Sequence, residues 1–563
     1  MRKVFSVLGM ALMLGIGAIS SGVYGEFIAA KAAEEETEVV TVEAPRVSNA
    51  TGAYTEEFDL TVTVPEGCTV YYTLDGSNPV NSSTRITYTS PIAVKDRTGD
   101  PNYVTAVDPA LFDCAYATYD SENNVMTDTY SAPDDDKVDK ATVVRAVACD
   151  SEGNYSTVTT NTYFVGSMAD HIKGIKESCE AAGVPLSIMS ISVNYEDLFD
   201  YETGIYVKGK VFEEAFAEVS KPKRRKNIVD ETRKLPANYN QKGKEWEREA
   251  HIDYIESDGT NTSVKLQQDC GIRIQGNYSR SDLQKSFRLY ARSEYGGKNF
   301  KYPFFGDDAK DSEGNTLAKF KKLVLRNGGN DAFITKYRDS YWQNLLKDMK
   351  NDTLASRVCV VYIDGEYWGV YVLQEDYGDD YMEDHHGVTK DNVVSYKGDA
   401  EKYPVIGYEM DDGTLPEGID DYTYFMKDVN HFFYTHTKCV SQEDYDALAA
   451  LFDPESVMEY FAVQAWVNNK WDWPGKNWYM WMTTEGAKEE NVYTDGRWRH
   501  VYCDLDFGGW SGAGEAYNNT ISNSGLLDVN KTNQVVRAFA YFMTNDNFRA
   551  QYKALLDSLD DEG

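Results

Sequence analysis

Cysteine, histidine and positive charge are all scarce in this chain of 563 residues. The eight cysteines are scattered and none forms a C-x-x-C pair, so the sequence lacks the disulfide framework of small secreted domains. The seven histidines lack zinc-ligand spacing with cysteine, which argues against a structural zinc site. The formal net charge of −35 argues against nucleic acid and anionic membrane surfaces as partners.

The one long apolar run lies at the N-terminus. Arg2 and Lys3 precede it, and small residues flank Lys31 in a cleavage pattern. This predicts a signal peptide over 1–33, followed by an acidic linker over 34–42. Because glycine and serine interrupt the run, we favour cleavage and export over a single membrane anchor. No membrane association beyond the signal peptide is expected.

Short alternating strands are predicted across residues 43–165. FDLTVTVPE alternates, CTVYYTLDGSNP runs into a turn, and TVVRAVACDSEGNYS and TVTTNTYFVG complete the segment. The pattern predicts a small all-β sandwich. Its insertion between Asp96 and Lys137, which is rich in Asp, Tyr and Pro, is predicted to be a surface loop. A linker helix is predicted over 166–183.

Two motifs near the C-terminal end indicate chemistry. Asp472 and Asn477 stand in the spacing D-x-x-x-x-N, and Asp506 begins the triplet D-F-G. This order and spacing are typical of the catalytic loop and metal-binding loop of a protein kinase. Lys470 and Trp471 stand where an ordinary kinase has His-Arg, so the kinase would be atypical.

The same residues have a plainer interpretation. Asp504 and Asp506 follow the strand in WRHVYCDLDF, where they could simply cap a turn. In the kinase interpretation, Asp472 orients the attacking hydroxyl while Asn477 and Asp506 hold metal on the phosphates.

A polar turn between two predicted strands offers a phosphate site. Gly276 and the run NYSRSD supply backbone N–H groups and hydroxyls there. Lys285 and Arg288 follow on the next strand on opposite faces, so that one of them can face a nucleotide. The turn residues predicted to contact the nucleotide are Asn277, Ser279 and Arg280.

The segment FKKLVLRNGGNDAFITKYRDSYWQNLLKDM predicts a strand, a turn and a helix. Phe333, Tyr337 and Tyr341 repeat every four residues, as one stripe of a helix does. A hairpin follows around Asp364-Gly365. Glu375 closes its second strand, where a kinase joins its two lobes.

The N-terminal segment resembles a known accessory module. VYYTLDGSNPVNSS, YTSPIAV, TVVRAVACDSEGNYS and TYFVG are similar to the chitobiase/β-hexosaminidase C-terminal-type module, an immunoglobulin-like sandwich. The resemblance implies no activity. It allows binding to cell-wall or matrix polysaccharide, with Tyr71 and Tyr72 as candidate platforms, although alternation places at least one of them in the core.

Residues 184–563 resemble the spore coat protein H kinase (CotH) family. The similar pieces include CGIRIQGNYSRSDLQKSFRLYAR, LVLRNGGNDAFITKYRDSYWQNLL, YIDGEYWGVYVLQEDYGDDYM, NKWDWPGKNWYMW and CDLDFGGW. The resemblance implies a two-lobed α+β kinase-like domain that uses ATP and Mg²⁺ or Mn²⁺ to phosphorylate serine. It also implies a secreted, cell-surface or spore-coat protein.

The resemblance assigns roles to individual positions. Asp472 matches the catalytic aspartate and Lys285 the phosphate-contacting lysine, with Asp339 as the expected partner of Lys285. The expected nucleotide contacts also include Arg288 and Glu375. The expected metal ligands are Asn477, Asp506 and Asp504.

The sequence therefore predicts a secreted atypical protein kinase acting on serine of exported or surface proteins. The alternative is a catalytically silent surface or carbohydrate-binding protein. A glycoside hydrolase was the second rival, but paired carboxylates are uninformative in a chain with 91 acidic residues.

Overall fold

The computed structural model describes residues 42–114, 118–120, 125–127, 130–166, 170–218, 232–258, 262–398, 408–469, 473, 477–509 and 534–562. A β-rich N-terminal region comes first, and a region of mixed strands and helices follows it. This succession of an all-β part and an α+β part confirms the predicted order of structural classes. None of the described helices has the length and apolarity that a membrane crossing requires.

The N-terminal region is built from short strands. Their bounds are β1 (Arg46–Val47), β2 (Gly52–Tyr54), β3 (Phe58–Leu60), β4 (Val62–Thr63), β5 (Thr69–Thr73), β6 (Ile86–Thr87), β7 (Ile92–Val94), β8 (Thr118–Asp120), β9 (Val125–Thr127), β10 (Thr142–Cys149) and β11 (Thr159–Val165). One sheet has the order β2-β11-β10-β5-β6, and β1–β4, β3–β7 and β8–β9 form separate pairs. The alternation in the sequence places Leu60, Val62 and Val70 in the apolar core of this region.

Part of the insertion between β7 and β10 is buried, whereas the sequence predicted a surface loop. Val104, Val107, Phe112 and Cys114 are buried, and they belong to the same apolar cluster as the strands of the following region. The prediction was wrong because the polar composition of the insertion masked a few widely spaced apolar side chains. The N-terminal region therefore contributes directly to the core of the next one.

Seven strands of the second region form a sheet that closes on itself. They are β12 (Leu186–Val193), β13 (Arg248–Ser257), β14 (Thr262–Gln275), β15 (Ser286–Tyr290), β16 (Lys322–Arg326), β17 (Ser356–Ile363) and β18 (Glu366–Gln374), in the spatial order β12-β13-β14-β15-β16-β18-β17. The β12–β17 contact that closes the sheet is parallel, and the other pairs are antiparallel. The apolar-rich run LSIMSISV of β12 is buried at every position.

The predicted hairpin between β17 and β18 is confirmed. Asp364 and Gly365 form its turn with φ values of 51° and 85°. Both residues are left-handed, which is the geometry that matches the twist of a two-residue hairpin.

The rest of the second region combines a small sheet with helices. Strands β19 (Val393–Gly398), β20 (Tyr408–Met410), β21 (Tyr479–Thr483) and β22 (Arg499–Val501) pair in the order β20-β19-β21-β22. The helices of the described chain are α1 (Asp170–Ala181), α2 (Tyr195–Phe199), α3 (Gly209–Ala217), α4 (Arg338–Leu345), α5 (Asp379–His386), α6 (Lys427–Thr435), α7 (Gln442–Ala449), α8 (Pro454–Trp466), α9 (Gln534–Phe542) and α10 (Asp546–Glu562).

Helix starts follow local capping chemistry. Ser441 and Asp444 form the capping box that the sequence predicts at the start of α7. Asp453 caps α8 by accepting from the N–H groups of Glu455 and Ser456, with a proline at the first helical position. Helices α8, α9 and α10 then share one apolar cluster.

The predicted aromatic stripe is not a buried helix face. Helix α4 begins at Arg338, while Phe333 and Tyr341 are 48% and 56% exposed. Lys336 has a φ of 67°, a left-handed conformation that a continuous right-handed helix does not allow. The four-residue repeat therefore runs through a turn before it reaches the helix.

One buried histidine makes this fold sensitive to acid. His500 on β22 is 1% exposed, and its ring stacks on Tyr460 with centroids 4.3 Å apart. Burial lowers the pKa of His500 to about 3 because the charged imidazolium would lose its hydration.

We expect His500→Phe to reduce the acid sensitivity of folding. The unfolded chain takes up the proton near pH 6.5, while the folded chain resists it until about pH 3. The contribution of His500 to the free energy of unfolding is therefore complete above pH 6.5 and declines as the pH falls. Between pH 7.5 and 5, the native chain should lose about 2 kcal/mol more than the variant. Denaturant unfolding at both pH values measures this, and equal losses would contradict it.

Candidate functional site

A cavity of about 470 Å³ lies between the closed sheet and the smaller sheet. The turn between β14 and β15 forms one wall, from Ile274 to Arg280. Arg288 and Tyr290 of β15 and Arg326 of β16 continue this side. The opposite side comes from the later part of the chain and consists of Lys397, Gly398, Glu409, Asn477, Asp504 and Asp506. We call this cavity the cleft.

The turn wall depends on Gly276. This residue has a φ of 106°, and a Cβ there would lie 2.5 Å from the Ser279 hydroxyl oxygen. Arg280 holds the turn closed, since its Nε donates to the Gly276 carbonyl at 2.6 Å and its Nη1 donates to the Tyr239 carbonyl at 2.7 Å. The predicted turn residues Asn277, Ser279 and Arg280 all line the cleft.

Two carboxylates lie on the other wall. Asp506 is 1% exposed, and its Oδ2 accepts from the backbone N–H of Asn330 at 2.8 Å. Asp504 stands two residues earlier with a φ of 52°. Gly329 makes the approach possible, because a Cβ there would lie 2.3 Å from Asp506 Oδ2. The sequence N-G-G-N at 327–330 thus allows the Asp506 carboxylate to reach the backbone N–H of Asn330.

The electrostatics of Asp506 are unusual. Burial raises its pKa to about 7, with a further rise from the charge of Asp504 and an opposing effect from Arg326. Within the part of the chain that the structure describes, its Oδ1 is buried and accepts no hydrogen bond. A buried carboxylate oxygen without a donor is costly unless a cation or another donor meets it.

Arg326 connects these acids to the closed sheet. Its Nη2 lies 2.7 Å from Asp504 and 3.4 Å from Asp506, and its Nε lies 3.5 Å from Asp339. The three carboxylates raise the pKa of Arg326 against the effect of its burial. Asp339 also accepts from the backbone N–H of Leu505 at 2.8 Å.

The predicted pairing of Lys285 with Asp339 is wrong. Asp339 pairs with Arg326, and Lys285 does not line the cleft. The Lys285 ammonium is fully buried and donates to the carbonyls of Phe112 and Asp282 at 2.8 and 2.7 Å. Lys285 precedes the first residue of β15, so its side chain does not follow the alternation of that strand.

Arg288 is the member of the predicted pair that faces the cleft. Its Nη2 donates to Asp376 at 2.8 Å, which fixes the guanidinium beside the β18 end of the sheet. Glu375 lies elsewhere: it is 3% exposed on its side chain, contacts His385 Nε2 at 2.8 Å and accepts from the Ala355 N–H at 3.0 Å. The predicted contact of Glu375 with a nucleotide is therefore not supported by its position, since it does not line the cleft.

Asn477 and Asp472 complete the predicted set. Asn477 lines the cleft with a φ of 59°. Asp472 and the preceding Lys470 and Trp471 lie outside the described residues.

The cleft fits a divalent cation by its donor chemistry. Asp504 and Asp506 supply carboxylate oxygens and Asn477 an amide oxygen, which are the ligand types that Mg²⁺ prefers. A cation bound here would meet Asp506 Oδ1, which accepts no hydrogen bond from the described residues, and would stabilise the ionised form of this carboxyl, whose pKa is raised. The described residues contain no group of three or more His, Cys, Asp or Glu arranged around one metal position.

Sequence reasoning missed Arg326, Asn330 and Arg273 as residues of the site. Arg326 ends a buried strand directly before N-G-G-N. A charged residue at the end of such a strand is a recognisable signal of a functional site. Arg273 faces the cleft from β14, and its guanidinium donates to Glu247 at 2.6 and 2.9 Å. Arg273 belongs to no short motif. It faces the cleft because the register of β14 with β15 places it opposite Arg288.

We expect Arg326→Met to destabilise the fold by about 3–5 kcal/mol, because it leaves three carboxylates without their shared cation. Millimolar Mn²⁺ should restore part of the loss by supplying positive charge at the same place. Thermal unfolding with and without Mn²⁺ measures both effects.

Arg357→Met is the matched control. Arg357 pairs with Glu256 at 2.8 Å in the closed sheet and does not line the cleft, so Mn²⁺ should not restore its stability. Equal stability of Arg326→Met and the native chain would show that the convergence of these acids does not depend on Arg326.

Two segments of the chain match models of known families. A sequence model described as CotH kinase protein matches residues 272–562, which is just over half of the chain. A second model, described as Fn3 associated, matches residues 58–163 and confirms an accessory module at the N-terminus. Curated proteins yielded no match to the chain. The extent of the first match shows the family, and the chain belongs to the CotH kinase proteins.

Proposed function

We propose that this chain is a secreted atypical protein kinase that transfers the γ-phosphoryl group of ATP to serine in exported or surface proteins. One observation carries the proposal: among the described residues, no donor meets one oxygen of the buried Asp506 carboxylate, which faces a cleft that also contains Arg288 and Arg326. Acidic and basic side chains within one cavity suit a metal-bound polyphosphate, because the metal carries positive charge and the phosphates carry negative charge.

The arrangement supports a two-lobed kinase-like fold. The closed sheet, with its phosphate-facing turn, takes the place of the upper lobe. The smaller sheet and helices α6 to α10 take the place of the lower lobe. In this proposal the cleft corresponds to the nucleotide site of a kinase, because residues of both sheets line it.

Each wall has a separate task in this proposal. On the turn side, Asn277 and Ser279 offer donors to phosphate oxygens. Arg288 takes the role that the resemblance gave to Lys285, since its guanidinium lines the cleft and is oriented by Asp376. On the acidic side, Asp506 and Asn477 would hold Mg²⁺ or Mn²⁺, with Asp504 as a further ligand. A metal bound there neutralises charge on the phosphates.

The chemical step needs little from the protein beyond position. The serine hydroxyl oxygen attacks the γ-phosphorus, the bond from that phosphorus to the β–γ bridging oxygen breaks, and ADP leaves. Asp472, from the D-x-x-x-x-N motif, would orient the hydroxyl and accept its proton. Arg326 acts through others, because it sets the positions of Asp504 and Asp506.

Secretion and a cell-surface location are part of the same proposal. The signal-peptide pattern over 1–33 supports secretion, and the family supports a cell-surface or spore-coat location. The N-terminal module would contact cell-wall or matrix polysaccharide. Tyr71 is one candidate platform, although Arg85 covers one face of its ring at 4.4 Å. A catalytically silent surface protein is the competing function.

We expect Asp506→Asn to weaken binding of Mn²⁺–ATP by about 100-fold or more, because it removes the charged ligand of the cation. Calorimetric titration of the native chain and the variant measures this. Asp412→Asn is the control, since Asp412 is a half-buried acid whose pKa burial raises to about 6, and it does not line the cleft. Absence of binding by the folded native chain would favour the silent surface protein.

We expect Asp472→Asn to separate binding from chemistry. Mn²⁺–ATP affinity should stay within about threefold of the native value, while transfer of the γ-phosphate should fall by about 10²–10⁴-fold, the usual contribution of a positioned general base. Transfer of radiolabel from ATP to a serine-rich peptide, or to the chain itself, provides the measurement. A variant that keeps full transfer would remove Asp472 from the proposed site.

A further inference from the structure

A segment of the N-terminal region stands directly behind the cleft. The turn that lines the cleft ends in a short 3₁₀ helix, Tyr278–Ser281. The carbonyl of Ser281 accepts a hydrogen bond from the backbone N–H of Cys114, at 3.0 Å. Cys114 belongs to the insertion between β7 and β10, so the two chain segments are far apart in sequence but share a hydrogen bond.

Lys285 makes a second link between the same segments. Its ammonium donates to the Phe112 carbonyl of the insertion at 2.8 Å and to the Asp282 carbonyl at 2.7 Å, immediately after the turn. Its Nζ also lies 4.3 Å from the centre of the Tyr239 ring. One buried cation therefore joins the insertion to the base of the turn.

Tyr239 provides a third link. Its hydroxyl donates to Cys114 Sγ at 3.3 Å, and its backbone carbonyl accepts from Arg280 Nη1 at 2.7 Å. Arg280 in turn donates to the carbonyl of Gly276, the residue whose left-handed φ shapes the turn. The contacts run without a gap from the insertion to the cleft-lining backbone.

The insertion itself is anchored at a distance from the cleft. The buried carboxylate of Glu366 accepts from the backbone N–H groups of Tyr103 and Thr105 at 2.6 and 2.8 Å, and from the Thr105 hydroxyl at 2.7 Å. The side chains of Val104 and Val107 then pack into the core of the closed sheet. The segment from Tyr103 to Cys114 is thus fixed at both ends.

Packing alone would not need a lysine at 285. Burying an ammonium is costly, and an apolar side chain of similar length would fill the space without that cost. Burial lowers the pKa of Lys285, and the nearby Cys114, Asp113 and Asp282 oppose this effect. Two carbonyl contacts and one ring contact orient the ammonium. Such directional contacts fix a geometry that apolar packing would leave looser.

We propose that the segment from Tyr103 to Cys114, acting through the Lys285 ammonium, holds the Gly276–Asp282 turn in the conformation that receives the nucleotide. Lys285 is then a positioning residue behind the site and does not contact phosphate. The expected effect on nucleotide affinity rests on the proposed function. The expected effect on the conformation of the turn does not depend on that function.

The proposal also extends the functional unit. The family match begins at residue 272, so the insertion and Tyr239 lie outside it. A nucleotide site of full affinity would accordingly need residues of the N-terminal region in addition to those of the matched segment.

Lys285→Met in the full chain tests the proposal, with Arg145→Met as the matched control. Arg145 is a buried cation of the N-terminal region, and its guanidinium donates to the Gly76 carbonyl at 2.9 Å and to the Thr160 hydroxyl at 3.3 Å, away from the turn. Both variants lose a buried cation that makes two hydrogen bonds, so a general loss of stability should be similar. Two readouts are followed: amide hydrogen exchange of residues 276–282 without nucleotide, and calorimetric affinity for Mn²⁺–ATP.

We expect Lys285→Met to speed exchange in the turn by tenfold or more and to weaken Mn²⁺–ATP binding by at least tenfold. Arg145→Met should leave both within about twofold of the native values. Unchanged exchange and affinity in Lys285→Met would overturn the proposal.

Two further results keep the test decisive. If the native chain binds no Mn²⁺–ATP, the proposed function fails, and the exchange of the turn alone decides the positioning role of Lys285. If Lys285→Met does not fold, Glu366→Gln replaces it, since this change loosens Tyr103 and Thr105 far from the cleft. Faster exchange in the turn of Glu366→Gln supports the proposal, and native exchange overturns it.

Discussion

The guanidinium of Arg326 is the contact on which the site depends. It ends strand β16 of the closed sheet and meets Asp339 of α4 together with Asp504 and Asp506, which follow β22. Elements that are far apart in the chain converge on this one cation. Because three carboxylates share a single buried guanidinium, an excess of negative charge remains beside the cleft. This excess adds to the main effect, burial, in raising the pKa of Asp506.

The other side of the cleft carries the opposite charge. Arg288 is fixed by Asp376, and Arg273 is fixed by Glu247, so each guanidinium keeps a defined orientation while it lines the cavity. A chain with a net charge of −35 would otherwise repel a polyphosphate. Local cations on the turn side and local carboxylates on the facing side would let the same cavity accept both phosphate and metal, as the proposed function requires. Preorganised charges of this kind are the main contribution that a phosphoryl-transfer site makes.

Several residues that line the cleft could be singled out from the sequence because their motifs are local. The residues of the polar turn, Asp506 and Asn477 all line the cleft, and each belongs to a short run whose chemistry is legible in the sequence. The sequence could not show which of Lys285 and Arg288 faces the cleft, since this depends on where β15 begins. The partner of Asp339 was hidden for a similar reason, because Arg326 lies on another element and only tertiary packing brings the two together.

Some features of the fold could likewise be predicted from the sequence, and others could not. Alternation predicted the strands of the N-terminal region, and turn chemistry predicted the β17–β18 hairpin. The burial of Val104 and Phe112 could not be read from the sequence, because polar residues surround them and their partners come from distant strands. The aromatic repeat from Phe333 misled for a local reason, since the left-handed Lys336 interrupts the backbone before α4 starts.

The most direct test of the account is the position of a metal in the cleft. Crystals of the full chain grown with Mn²⁺ and a non-hydrolysable ATP analogue would locate the metal by its anomalous scattering. The account predicts a manganese peak at the Asp506 carboxylate, with the phosphates of the analogue between it and the Gly276 turn. An analogue bound elsewhere, or a manganese peak away from Asp506 with the cleft empty, would contradict the assignment of this cavity as the nucleotide site.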